Sequence, residues 1–582
     1  MLVYGDVECT QTVGAMQARI EALLMGAGRL PAGIERHGAL VTAFIHAGEL
    51  VQGIVDAGFQ ERGFDARSAA HHSGMELLVA MAHVVARSWW SGFAAAPVPT
   101  SVLEKLAGFD SKLSIRTKSA EGYAFYALYP ESYLEAARHS GLGPGTRVIG
   151  IRSIGTGLSA LVAAALDARP PLTLRPAGHP FRREVRVDPA VTEELAADKE
   201  AMFAIVDEGP GLSGSSFGAV ADWLEAAGIA RRRIHFFPSH DSSLGPQASP
   251  DHRERWSIAP RHGVDMDRLL LRSSPPRNLT AWIEDLLGPL DQPLEEISGG
   301  AWRARRYPDE THWPAANIQH ERRKFLARAK GASWLVKFAG LGEAGLRKHR
   351  RAQQLHAAGF TPEVAGYRHG FLIERWHENG LSLDRTPLGR DLLIERIGSY
   401  LGFRARRFEA GRDGGASLEH LSEMARHNTR EALGEDAAAA LEAFLSHGRS
   451  LEGRVRRIET DNRMHPWEWL LVGERLIKAD ALDHSAAHDL VGCQDVGWDI
   501  AGATVEFDLS EAEASRLCAI VELESGFPVM AEILAFMRPC YLAFQMGAHV
   551  MAAWSLGDGP EAGRLRQAAD RYSALLRKLL NR

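Results

Sequence analysis

The stretch Phe203-Ala-Ile-Val-Asp-Glu-Gly-Pro-Gly-Leu-Ser-Gly-Ser-Ser216 decides the class of fold. An unbroken apolar run that ends at an acid pair followed by glycine reads as a buried strand. It delivers two acids, Asp207 and Glu208, to its carboxyl end, and a loop of small residues then opens a helix. Small residues let backbone N–H groups approach a phosphate, and a helix amino terminus favours an anion. The hydroxyls of Ser213, Ser215 and Ser216 add donors. The two acids suit ribose hydroxyls or a metal ion.

Working outward, TRVIGIRS and RRIHFFPS read as further strands, and GLSALVAAALDA and FGAVADWLEAAGI as helices between them. Strands alternating with helices predict a parallel sheet over residues 106–290, with ligands beyond the strands' carboxyl ends. Residues 1–105 carry apolar residues at helical spacing and are read as a helical amino-terminal region without chemistry. Their histidine pair, His71 and His72, reads as surface decoration, because adjacent helical side chains do not face each other. Proline-rich SSPPRNLT and LLGPLDQPLEEISGG mark a boundary near 290. Residues 291–582 read as a two-lobed unit: GGAWRARRY and ERRKFLARAKGASWLVKFAG as strands, followed by long helices. The predicted class is thus multidomain α/β and α+β.

The 582 residues correspond to roughly three to five domains' worth of chain. With 67 Lys+Arg against 73 Asp+Glu, the net charge of -6 argues against a general nucleic-acid binder. Hydrophobic residues at 45% and charged residues at 24% exclude disorder throughout. Four scattered cysteines without a CxxC pair argue against a disulfide framework or a cysteine zinc site. No signal pattern and no long uninterrupted apolar stretch is evident, so the expectation is a cytoplasmic protein with small-molecule partners and no membrane. Oligomeric state is left open.

The acid pair and its loop, together with the upstream turn Gly150-Ile-Arg-Ser-Ile-Gly155-Thr-Gly157, resemble the type I phosphoribosyltransferases. The resemblance implies a ligand such as phosphoribosyl diphosphate or a ribose phosphate. It places Asp207 and Glu208 on the ribose and its magnesium, and Gly211, Ser213, Gly214, Ser215 and Ser216 around the 5-phosphate. Arg152 and Ser153 would face the pyrophosphate, and Lys118–Tyr126 would line the acceptor pocket. The spacing departs from the family's acid–acid–Val–x–Thr–Thr–Gly by about one residue, and the basic element Arg175–Arg183 has no counterpart.

A second constellation lies in Leu476-Ile-Lys-Ala-Asp480-Ala-Leu-Asp483-His484-Ser-Ala-Ala-His488 and Gln494-Asp495-Val-Gly-Trp498-Asp499. Two acids at successive strand ends suit phosphoryl transfer, one orienting the acceptor hydroxyl and one holding magnesium on the nucleotide. This pattern resembles the aminoglycoside and choline kinase superfamily. The resemblance implies ATP and Mg2+ as cofactors, Asp480 as the catalytic carboxylate and Asp495 as the magnesium ligand. It makes Lys337 the phosphate-binding strand lysine and Gly299-Gly300 the covering turn. Glu343 or Glu321 would pair with Lys337. Glu374 and Trp376, on Phe371–Trp376, would meet the adenine. Ser485 stands where the family has asparagine, so Asp483, His484 or His488 would substitute for it; a zinc site from Asp483, His484 and His488 is the alternative. The aromatic-rich stretch Asp461–Trp469 reads either as acceptor lining or, more commonly, as core anchors. The basic run Arg347–Arg351 reads as a solvated helix face.

Together these readings predict a bifunctional transferase, joining a phosphoribosyl site to an ATP-dependent small-molecule kinase. The alternative is a nucleotide-sensing regulator with one or both sites inactive; a kinase acting on a macromolecule is a third reading.

Overall fold

The computed structural model describes residues 8–95, 97–211, 213–245, 247–411, 414–486 and 491–581. The amino-terminal region is built on the helices Val13–Arg29, Ile34–Arg62 and Ala69–Trp90. Thr12 caps the first by accepting a hydrogen bond from the Ala15 amide. The strand Glu8–Thr12 pairs antiparallel with Ser114–Lys118, which stitches this region to the next. Helix Ile34–Arg62 is long and apolar enough to cross a bilayer, yet most of its apolar stretch is packed inside the protein. Its buried face also carries Arg36, His37 and Asp56, three groups that require polar partners.

In the middle region four parallel strands lie in the order Leu172–Leu174, Arg147–Ile151, Phe203–Val206, Ile234–Phe237. All three strands read from apolar runs are present, and Phe203–Val206 is buried along its whole length. The three-residue strand Leu172–Leu174 was not foreseen, being too short to show a period. Helices Gly155–Ala165 and Ser215–Ala226 start at the carboxyl ends of their strands. A small hairpin, Ala177–His179 with Arg182–Glu184, stands over the second of these starts.

The carboxyl-terminal region opens with a five-stranded antiparallel sheet: Val364–Arg368, Phe371–Arg375, Ala332–Phe338, Lys324–Ala329 and Glu295–Glu296. Its central hairpin turns at Lys330 and Gly331, both with positive φ (52° and 68°), the backbone a two-residue hairpin turn demands. Gly299 and Gly300 do not lead into a strand, as their sequence had indicated, but into the 3-10 turn Ala301–Arg305. The segment coils because the Arg303 side chain is buried and bonds to Gly300 O, Pro314 O and the Glu561 carboxylate. A second lobe combines the small sheet Leu381–Ser382, Trp469–Val472, Arg475–Lys478 with helices that include Arg390–Arg407, Val496–Glu506 and Ala531–Leu556. One apolar core runs continuously from Val13 through Leu158 and Val206 to Phe338 and Ile373, so the first antiparallel sheet packs against the same core as the amino-terminal helices.

Candidate functional site

Two clusters of charged groups lie at sheet ends. The first gathers where the antiparallel sheet meets the helical lobe. Lys337, on strand Ala332–Phe338, is buried, with its Nζ 2.8 Å from Asp480 Oδ1 and 2.5 Å from Asp483 Oδ2. Burial alone would push this lysine's pKa down; the two carboxylates outweigh it and hold the pKa above the ordinary lysine range. Neither Glu343 nor Glu321 pairs with it. Glu343 sits on exposed Arg350, and Glu321 accepts from the Gly300 amide and Trp302 Nε1, both at 2.8 Å. Helix Gly342–Ala357 instead contributes Lys348, 2.8 Å from Asp483 Oδ1 and pushed down to about 8 by burial. Arg351, on the same helix, is buried too, so the run Arg347–Arg351 is not a solvated face throughout: Arg347 and Arg350 lie outward, Lys348 and Arg351 inward.

The cluster continues through Lys478, Asp461 and Glu468, which the sequence does not single out as its acids and base, and through His484, which it does. Lys478, fully buried at the end of strand Arg475–Lys478, reaches Glu468 Oε2 at 2.6 Å and Asp461 Oδ1 at 3.3 Å, and donates to the Asp480 carbonyl at 2.5 Å. His484 Nδ1 lies 3.0 Å from the Asp461 carbonyl, and its Nε2 lies 3.9 Å from Asp480 Oδ2. Asp461, Glu468 and His484 present ligand atoms within 4.8 Å of one another. Asp499 fixes this loop, its two oxygens accepting from the amides of Asp461 (2.7 Å) and Asn462 (2.8 Å). Burial and the neighbouring Asp461 push Asp499 up to about 7.

Asp480 and His484 therefore stand in the cluster, whereas Asp495 and Ser485 have other partners in the structure. Asp495 is the N-cap of helix Val496–Glu506: Oδ1 accepts from the Gly497 amide (2.9 Å) and Oδ2 from the Arg456 amide (3.1 Å). Ser485 Oγ accepts from Arg351 at 3.2 Å. Both oxygens of Asp483 are taken by lysines, and His488 lies outside the described residues. If Asp495 is a cap and nothing more, Asp495→Ala lowers stability by about 1 kcal/mol, read as a shift in urea midpoint, and leaves the turnover of folded protein unchanged.

Glu374 faces the same side of the sheet as Lys337, opposite Leu335 in register. Burial pushes its carboxyl up to about 8, against the pull of Lys337. Trp376 is stacked beneath the Arg306 guanidinium, 3.8 Å from the ring centroid, and Arg306 also donates to the His377 carbonyl. The strand end read as meeting adenine is thus already covered by a planar cation.

The second cluster lies at the parallel sheet. Asp207 and Glu208 follow strand Phe203–Val206 directly. Burial, reinforced by Glu208, pushes Asp207 up to about 8, and burial raises Glu208 as well. Glu208 Oε2 accepts from the Gly122 amide at 3.2 Å. Gly211 (φ 63°) and Gly214 (φ 60°) take the left-handed backbone that the loop needs before helix Ser215–Ala226. Ser216 is half-buried in the first turn of that helix. The Ser213 and Ser215 hydroxyls point into the loop, where the Pro180 carbonyl of the small hairpin accepts from both, at 3.4 and 2.6 Å.

Arg152 is engaged by protein groups on all sides of its guanidinium. Its fully buried guanidinium turns back into the amino-terminal helices and bonds to Asp56 Oδ1 (2.8 Å), the Thr173 carbonyl (2.9 Å) and Asp65. Ser153 accepts from Arg175 at 3.3 Å and borders a cavity of about 20 Å3, room for a single water, with Phe44, Lys118 and Tyr123. His71 is likewise not surface decoration: it is buried, accepts from the Thr173 amide at 3.2 Å, and burial lowers its pKa to about 4. His72 is exposed.

A carboxyl raised from about 4 to about 8 binds its proton more tightly in the folded than in the unfolded chain, so stability falls as pH rises across that window. Asp207→Asn removes this slope. The expected result is a thermal midpoint that rises relative to the native protein between pH 5 and 8, checked by a pH series of melting curves.

The two clusters share a wall. The short helix Glu121–Phe125 holds Glu208 through the Gly122 amide, while the Phe125 carbonyl accepts from Arg322 at 3.0 Å. Lys348 Nζ lies 5.7 Å from the Phe125 ring centroid.

No family model matches the sequence, and no curated protein is similar to it at a significant level. Among solved structures, the chain is similar to choline kinase LicA from Streptococcus pneumoniae at 16% identity, over 43% of this chain and 89% of that one, with a TM-score of 0.30. It is similar to spectinomycin phosphotransferase APH(9)-Ia, in complex with ADP and spectinomycin, at 10% identity, over 51% and 93%, with a TM-score of 0.34. A choline/ethanolamine kinase family protein from Mesorhizobium loti is 14% identical over 44% and 90%, with a TM-score of 0.28. Scores this low carry no weight in assigning an activity, which rests on the side-chain arrangement instead.

Proposed function

We propose that this chain is a small-molecule phosphotransferase that uses magnesium-ATP, with a second site for a phosphorylated, ribose-like ligand at the parallel sheet. The observation that carries the first half is Lys337 on a sheet strand, 2.8 Å from the carboxylate of Asp480 at the end of a second strand. A strand lysine grips nucleotide phosphates, and the carboxylate beside it is the one placed to hold the metal on them. The roles therefore shift from those read in the sequence. Asp480, with Glu468 as second oxygen donor, would hold magnesium, and Asp461 would orient the acceptor hydroxyl and take up its proton. These carboxylates suit a hard cation, which prefers oxygen donors. Bound magnesium would neutralise charge on the phosphates. Lys478, lying between Glu468 and Asp461, holds both carboxylates in place, and Asp499 fixes the Asp461 backbone.

At the parallel sheet, two acids with raised pKa and little compensating positive charge favour ribose hydroxyls or a cation brought by the ligand. Phosphoribosyl diphosphate and ribose phosphates fit that chemistry. Their phosphate would have to displace the Pro180 carbonyl from Ser213 and Ser215.

The test is ADP release from magnesium-ATP in the presence of nucleosides, nucleotides, sugars and sugar phosphates, with and without phosphoribosyl diphosphate. Acceptor-dependent release supports the kinase; ATP binding without release for any acceptor supports a nucleotide sensor. That second reading is favoured by one observation: Arg306 already covers Trp376 and donates to the His377 carbonyl, at the strand end read as meeting adenine.

A further inference from the structure

Away from both clusters, three side chains from distant parts of the sequence meet in the core. His37 lies near the start of helix Ile34–Arg62, Glu131 in the first turn of helix Pro130–Arg138, and His369 in the turn between strands Val364–Arg368 and Phe371–Arg375. Glu131 Oε1 is 2.6 Å from His37 Nε2 and 2.9 Å from His369 Nε2, and the three side chains are at most 1% exposed. Glu131 Oε2 is buried with no hydrogen-bond partner. Among the described residues, no lysine or arginine pairs with Glu131; its ion pairs are with the two histidines.

We propose that His37, Glu131 and His369 bind one divalent transition-metal ion, zinc by the nature of its ligands, which staples the amino-terminal helices, the parallel-sheet region and the antiparallel sheet together.

Three arguments carry the assignment. Two imidazole nitrogens and a carboxylate are a standard zinc ligand set of three protein side chains, and Glu131 Oε2, buried with no hydrogen-bond partner, leaves this carboxylate with coordinating capacity that no protein group uses. The ligand atoms are closer than in a tetrahedral site, where bonds of about 2.0–2.1 Å place neighbours roughly 3.3 Å apart. Small ring shifts therefore open the seat without moving the backbone. His37 also has the outer-shell partner of a metal ligand, and the backbone of His369 is pinned. His37 Nδ1 is 2.9 Å from Ser88 Oγ, which turns Nε2 inward, and the Tyr129 hydroxyl donates to the His369 carbonyl at 2.9 Å. Phe93 and Trp89 flank His37, with Trp282 and Tyr129 beside His369; these rings close the site to water. A buried carboxylate facing two imidazoles lacks a full compensating charge, which a divalent ion supplies.

The experiment uses the full chain, without a histidine tag, produced with zinc in the medium and dialysed. Elemental analysis is expected to find close to one zinc per chain, and prolonged exposure to a strong chelator is expected to lower the thermal midpoint, with recovery on adding Zn2+. His37→Gln and Glu131→Gln are expected to lose the metal. Asp461→Asn, which alters the other cluster capable of ligating a metal, is expected to keep it. Because the core variants can fail to fold, X-ray absorption at the zinc edge of the native protein gives an independent reading: two imidazoles and a carboxylate in the first shell. Metal-free native protein whose midpoint ignores both chelator and Zn2+ overturns the proposal and leaves a plain hydrogen-bonded triad. Zinc lost with Asp461→Asn but kept with His37→Gln overturns it as well.

Discussion

Asp480→Asn is expected to lower ATP turnover by about 10²–10³-fold, the loss that follows removal of one preorganised charge from a reacting phosphoryl group. Asparagine preserves the shape of the side chain, and Lys337 keeps its second partner, Asp483, at 2.5 Å. The fold should therefore survive, and the defect should appear in kcat. Steady-state ADP release, with circular dichroism confirming the fold, checks it. Asp461→Asn is expected to give a loss of similar size by a different route. With the acceptor-side carboxylate gone, its defect should shrink as pH rises and the acceptor hydroxyl ionises more readily. A defect confined to Asp495 would reverse the assignment of roles made from the geometry.

Arg152→Met carries the largest expected loss of stability. The guanidinium is wholly buried between Asp56 and Asp65, and its removal strands two carboxylates in the core. Breaking a buried ion pair from one side costs about 3–5 kcal/mol. Arg175 still reaches Asp56, so the uncompensated charge falls mainly on Asp65. Burial already raises the Asp65 pKa while Arg152 opposes it, so the variant raises it further. The sign then follows: Asp65 holds a proton in the folded variant that it releases on unfolding, and the deficit shrinks as pH falls toward the carboxylate range. Urea midpoints at pH 5 and 8 check both the size and the direction.

The parts of this architecture legible in the sequence are those with local signals. Phe203–Val206 is an unbroken apolar run, and Arg147–Ile151 and Ile234–Phe237 are mostly apolar, because a parallel strand is covered on both faces. Lys337 stands out as a lysine inside such a run. Asp495 followed by Val-Gly-Trp looks like a strand-end acid, but it is an N-cap, and an acid two residues before a helical glycine amide carries that signature. Asp461 and Glu468 lie in a stretch that reads as acceptor lining or core anchors; their part as acids of the cluster is not legible because they sit in irregular backbone among aromatic residues, and only the fold brings them to Lys478. Arg152 misled for a different reason. Its loop was correctly placed at the end of a parallel strand, but the acids that claim its side chain come from the amino-terminal region, one on a helix and one on the segment after it, 96 and 87 residues away. The histidines around Glu131, separated from it by 94 and 238 residues, leave no local trace at all.

Calorimetric titration of the native chain and of Lys337→Met with magnesium-ATP tests the central claim most directly. The native chain is predicted to bind saturably, and the variant to bind about 10- to 100-fold more weakly, the cost of one lost charged hydrogen bond to phosphate. Absence of binding by the native chain, or equal Kd for the two proteins, would contradict a nucleotide site at Lys337.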